Sequence, residues 1–146
     1  MDELQLAEQM LSCVTKMRRA LDERLKVYGL SVPRKRVLGA LTEGPVRQGT
    51  LAAAFAVTPR TITELVDGLQ RDGLVERRDD PADRRARLVC LTPAGRLADE
   101  QAKAARAEVI GGMFADLPAE DRAALARILT SIDHRLGAVP LDERTR

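Results

Sequence analysis

The chain has 146 residues, a formal net charge of +2 and 45% hydrophobic residues, with Tyr28, Phe55 and Phe114 its only aromatics. That length suits one domain with a modest core, and so few aromatics argue against a stacking platform for single-stranded nucleic acid. Two cysteines make no disulfide framework, and neither a secretory leader nor a membrane-length apolar run is visible, so a cytoplasmic protein is expected.

Residues 3–27 form the first predicted helix, with Leu4, Ala7, Leu11, Val14, Leu21 and Leu25 recurring at steps of three and four and Gly29 as its stop. The stripe reads as a packing face, because the opposite face is mixed in charge rather than basic. Pro33 opens a second helix that runs to about Thr42, with Val37, Leu38 and Leu41 inward and Gly44-Pro45 ending it. Arg34, Lys35 and Arg36 fall in its first turn, where the helix dipole disfavours cations. Two readings stay open for them, a solvated face or a phosphate contact.

A short helix from about Gln48 to Phe55 follows, then a turn at Ala56-Val57, and then Thr58-Pro59 as the cap and first residue of a longer helix. In that helix Ile62, Leu65, Val66 and Leu69 make an inward stripe, while Arg60, Thr61, Thr63, Glu64 and Asp67 face away; Gly73 stops it. This is the helix-turn-helix pattern, with small Ala52 at the close approach and Ile62 as anchor. The turn departs from it by carrying Ala56 where glycine is common, which predicts some left-handed backbone strain.

Beyond lie two β-like runs, GLVERR and RARLVCLT, around the turn-forming DDPADR. A hairpin placed directly after a reader-type helix makes a winged helix. Thr92-Pro93 starts another helix toward Gly111-Gly112, rich in alanine around Leu97, Val109 and Ile110. The last predicted helix begins near Pro118 and spaces Leu125, Ile128, Leu129, Ile132 and Leu136 along one side; the charged tail after Pro140 is expected to fray. Charge is uneven along this order. Residues 31–96 hold twelve Arg or Lys against eight Asp or Glu, whereas the flanks hold twelve against fourteen. A mildly basic middle between mildly acidic ends fits a central nucleic-acid reader.

The run TPRTITELVDGLQRDGLVERRDDPADRRARLVCLTPAG resembles the core of the multiple-antibiotic-resistance-regulator (MarR) family of transcription factors. The matching pieces are Leu69, Gly73-Leu74-Val75, Arg77, Asp80-Pro81, Asp83-Arg84-Arg85, Leu91-Thr92 and Gly95, and the order of elements extends the likeness over nearly the whole chain. The resemblance implies one domain over residues 1–146, mostly α with a small β-hairpin wing. Residues 33–95 would be the winged helix-turn-helix lobe, and 1–30 and 96–140 the dimerisation helices. It implies a homodimeric repressor on a palindromic double-stranded DNA operator, released by a small-molecule effector or an oxidant. Carried over by position, the helix from Pro59 would enter the major groove, with Thr58, Arg60, Thr61 and Thr63 facing bases or phosphates. Arginine is the commonest reader of guanine, which makes Arg60 the expected base contact. Arg84 would reach a narrow minor groove and Arg85 would lie beside it, with Asp83 and Arg77 supporting the wing and the acid holding an arginine in place. The alternative is a solvated hairpin of self-paired charges.

No catalytic site, metal site or cofactor is expected. His134 is the only histidine, Ser12, Ser31 and Ser131 have no base in a motif, and no phosphate-cradling glycine loop is present. Peroxide-sensing relatives carry their cysteine and tyrosines at positions that fall near Ala7, Leu21 and Val32 here, so Cys13 reads as a buried structural thiol, and Cys90 likewise. A ligand pocket between the terminal helices and the lobe would be largely apolar; Arg18 or Arg19 could pair with an anionic acid there, but nothing in the sequence selects either. Two alternatives to the operator-binding regulator remain: a winged-helix module for protein contacts, and a thiol switch acting through Cys13.

Overall fold

Helix α1 (Glu3–Leu25) begins with a reciprocal cap in a computed structural model that describes residues 1–137: the Asp2 carboxylate accepts the Gln5 N–H, and the Gln5 side chain accepts the Asp2 N–H. The tail after Pro140 and the last residues of the expected 96–140 segment lie outside the described residues. Two compact units divide the chain, residues 1–109 and the part from Ile110 onward.

Within the first unit, α1 contributes to the core only by its C-terminal end, where Leu21 and Leu25 are buried; Leu4, Leu11 and Val14 are at least half exposed. A 3₁₀ turn (Lys26–Tyr28) and left-handed Gly29 lead to α2 (Val32–Ala40). Ser31 caps α2 by accepting the Arg34 N–H, so the helix starts at Val32, one residue before Pro33. Val37 and Leu38 of α2 meet Leu51 of α3 (Gln48–Phe55) and Ile62, Val66 and Leu69 of α4 (Pro59–Arg71) in one apolar cluster.

Strand β1 (Val46–Arg47) was not expected. It pairs antiparallel with β3 (Asp83–Leu91), which also pairs with β2 (Val75–Asp80), in the order β1-β3-β2. Gly44-Pro45 therefore not only ends a helix but also delivers a two-residue edge strand, too short to show alternation in the sequence. The hairpin is longer than its apolar runs suggested. Asp79 lies opposite Arg87 and bonds to it at 2.6 Å, so charged residues taken for loop are cross-strand pairs, and the turn shrinks to Pro81-Ala82.

Helix α5 (Pro93–Phe114) is seated on the base of the hairpin. The Thr92 hydroxyl donates to the Gly73 carbonyl at 2.7 Å and accepts the Gly95 N–H at 3.0 Å. A Cβ on Gly95 would stand 1.9 Å from the Leu74 carbonyl oxygen, so only glycine fits there. Further along, Ala98, Ala102 and Ala105 are buried. In the second unit, α6 (Ala119–Gly137) buries no residue of its own, and Ile128 and Leu136 are exposed.

Candidate nucleic-acid interface

The reader helix α4 starts where the sequence places it. Thr58 caps it by accepting the Thr61 N–H, and the two threonine hydroxyls are 2.9 Å apart. Ile62, Val66 and Leu69 are all but fully buried, which turns the opposite face outward. On that face Thr58, Arg60 and Thr61 are exposed, and Arg60 is held only by Glu64 one turn on, at 3.0 Å. Thr63 does not share this exposure. It is half-buried; its hydroxyl donates to the Pro59 carbonyl and accepts from the Gln48 amide, so the free groove-facing hydroxyl expected there is absent. The turn before α4 carries the strain anticipated for it: Ala56 has φ 52° and ψ 44°, the one non-glycine residue with positive φ among those described.

The wing separates into a neutralised base and a charged tip. Arg77 of β2 donates to Gln48, Gln70 and Asp67, tying the strand to α3 and to the outer face of α4. Asp80, buried at the end of β2, accepts the Ala82 N–H at 2.9 Å and the Arg47 Nε at 2.6 Å. The Ala82 N–H chiefly, with Arg47, outweighs the cost of burial and holds the Asp80 carboxyl below the usual carboxylate range. Asp79 takes Arg87, and Glu76 takes Arg78. Arg84 and Arg85 are exposed, and neither side chain makes an ion pair among the described residues.

Asp83 works differently from the expectation. Its carboxylate accepts the Arg85 backbone N–H at 2.9 Å and pairs with no guanidinium among the described residues. Two residues apart on one strand, its short side chain reaches the local backbone more readily than a guanidinium. It fixes the start of β3, not an arginine head. Arg47 and Gln48 were missed altogether, because their partners lie 15 to 33 residues away and no short-range spacing marks them. With Arg85 and Arg87 they line an open cleft between the start of α3 and the wing.

Neither reading of the α2 cations holds for Lys35. It is buried, with Nζ 2.8 Å from Asp99 of α5, and Lys103 reaches the same carboxylate at 2.9 Å. Burial pushes the Asp99 carboxyl up, but the two ammonium groups outweigh it, and its pKa is lowered. Cys90 is buried as expected; Cys13, expected to be buried, is exposed, on a stretch of α1 from Glu3 to Lys16 where every described residue is exposed. A second open cleft is lined by Arg18, Arg19, Asp22, Glu23, Lys26 and Leu30 among others, which brings the two arginines singled out in the sequence to one site.

Known proteins share this arrangement. A profile of the MarR family matches residues 28–86. The HTH-type transcriptional regulator YsmB of Bacillus subtilis is 31% identical over 115 residues, covering 78% of this chain and 79% of that protein. A crystal structure of a mutant MarR from E. coli complexed with operator DNA superposes with a TM-score of 0.77 at 25% identity, over 88% of this chain and 93% of that one. CouR from Rhodococcus jostii RHA1, crystallised bound to p-coumaroyl-CoA, does so with a TM-score of 0.69 at 31% identity, over 84% and 88%. No helix among the described residues is long and apolar enough to cross a membrane. The chain belongs to the MarR family of winged helix-turn-helix DNA-binding transcriptional regulators.

Proposed function

We propose that the chain is a repressor that binds an inverted-repeat operator as a homodimer in the cytoplasm and is released by a small anionic effector. The observation that carries the DNA reading is the sorting of its arginines. Those at the base of the wing are bonded internally, whereas Arg84 and Arg85 at the tip and Arg60 on the reader helix point outward. Arg60 would read a base edge with Thr58 and Thr61 beside it, Arg84 would enter the minor groove, and Arg85 would meet the backbone. Arg77 and Asp83 would hold the wing from behind. Titration of the full chain against the DNA flanking its own gene, and against a scrambled duplex, tests this; equal affinity for both would leave a protein-contact module instead.

Dimerisation is supported by apolar side chains exposed among the described residues, at Leu4, Leu11 and Val14 on α1 and at Ile128, Leu129 and Leu136 on α6. Sedimentation should find no folded monomer at micromolar concentration. CouR's ligand is an anionic thioester, and the cleft, where Lys26 is bonded to Glu23 and Asp22 stands nearby, offers the arginines Arg18 and Arg19 next to apolar Leu30. An anionic acyl thioester should therefore lower operator affinity, and Arg18→Ala with Arg19→Ala should abolish that response. The exposure of Cys13 keeps a thiol switch as a second reading. Peroxide-induced release that vanishes in Cys13→Ser would establish it.

A further inference from the structure

The N-terminal part of α2 carries Arg34 and Lys35 in its first turn and Arg36 just after it, toward the positive end of a helix dipole, a locally unfavourable site for cations. Each is consumed by a different element. Lys35 reaches Asp99 of α5, and Arg36 stacks on Phe55, the last residue of α3, with its guanidinium carbon 4.2 Å from the ring centre. Arg34 forks: one nitrogen donates to the Gly29 carbonyl at 2.7 Å and another to Asp72 at 2.5 Å. Asp72 is the C-terminal cap of α4, at the negative end of that helix dipole, where an acid is equally misplaced. Two residues at the wrong ends of their helices thus satisfy each other. Such local mismatches mark places where tertiary arrangement is being enforced.

We propose that Arg34 is a positioning residue for operator reading. It clamps the C-terminal cap of the reader helix to the connection between α1 and α2, and so fixes the angle at which α4 meets the groove without touching DNA itself. The inference rests on the operator-binding reading above. Apolar burial of Ile62, Val66 and Leu69 keeps α4 on the core but does not by itself fix its tilt, since apolar contact is non-directional. A planar guanidinium that bonds Gly29 with one nitrogen and Asp72 with another adds the missing direction.

The test uses the duplex that the full-length wild-type protein selects from a random library, alongside a scrambled duplex of the same composition, at several salt concentrations. Arg34→Gln and Asp72→Asn should each lower affinity for the selected duplex about tenfold, as expected for loss of one charge-assisted hydrogen bond. Affinity for the scrambled duplex and the slope of log affinity against log salt should not change. Asp72→Asn is the sharper variant, because removing an acid near a polyanion would by charge alone tighten binding. Arg34→Lys keeps the charge but loses the fork and should behave like Arg34→Gln, which a phosphate contact would not. Unchanged preference in both Arg34→Gln and Asp72→Asn overturns the proposal. So does loss of scrambled-duplex affinity with a flatter salt slope in Arg34→Gln, which would make Arg34 a phosphate contact. A wild-type protein that selects no duplex removes the operator reading and this inference with it.

Discussion

The reader helix α4 and the wing are neighbours in sequence but are held by different forces. Ile62, Val66 and Leu69 seat the helix in the apolar core, each no more than 1% exposed. The hairpin has Val75 and Val89 buried at its base; beyond them its strands are joined by backbone pairing and by exposed ion pairs such as Asp79–Arg87. Apolar burial owes nothing to charge, whereas exposed pairs are screened by salt. The reader helix is therefore held on the core by burial, and the outer part of the wing by pairs that salt screens.

Substitutions at the two seats should separate the forces by size. Ile62→Ala removes a fully buried side chain beneath the reader and should destabilise the fold by about 2–5 kcal/mol, read from chemical denaturation. Arg87→Ala, at an exposed pair, should change stability by less than about 1 kcal/mol in the same assay. Comparable losses would mean the wing is as firmly built as the helix. Arg77→Ala lies between these limits. It releases β2 from Gln48, Gln70 and Asp67, leaving Gln48 half-satisfied, and should destabilise by roughly 1–3 kcal/mol. Its amide protons in β2 should exchange faster while those of Ile62 to Leu69 keep their protection.

Two smaller effects sharpen the contrast. Ala56→Gly relieves a left-handed alanine at the turn that launches the reader, and should stabilise by about 0.5–1 kcal/mol after allowing for glycine's greater unfolded entropy. A destabilised variant would show that the alanine methyl packs usefully. Acid should loosen the turn of the wing through Asp80. The Asp80 carboxyl titrates below its ordinary value in the folded chain, so the support it gives the turn is present above that ordinary value and is lost as pH falls through the lowered one. Exchange at Ala82 should rise over that acid window, and Asp80→Asn should remove the pH dependence.

Much of this division was legible in the sequence. The reader helix shows itself through local signals: Thr58-Pro59, the stripe from Ile62 to Leu69 and the Gly73 stop all act within one or two turns. The wing was visible as a hairpin, but its charges could not be sorted, because Arg47 finds Asp80 and Arg77 finds Gln48 only after the chain has folded back. The same distance hid β1 and the burial of Lys35 against Asp99. The resemblance placed Thr63 among the readers, and Gln48, from another helix, donates to its hydroxyl. Exposure of Cys13 escaped for a different reason: a neighbour on an apolar stripe, here Val14, does not by itself bury a side chain.

The salt dependence of binding for wild-type protein, Arg84→Ala and Asp83→Ala, measured on a selected operator duplex and on a scrambled one, tests the DNA-reading wing most directly. Wild-type protein should prefer the operator and lose affinity steeply with salt. Arg84→Ala should weaken binding to both duplexes and flatten the slope by about one unit per wing. Asp83→Ala should weaken binding too, because the freed Arg85 backbone no longer sets the start of β3, although loss of an acid alone would favour a polyanion. Normal binding by Arg84→Ala together with tighter binding by Asp83→Ala would contradict a wing that reads DNA through its tip.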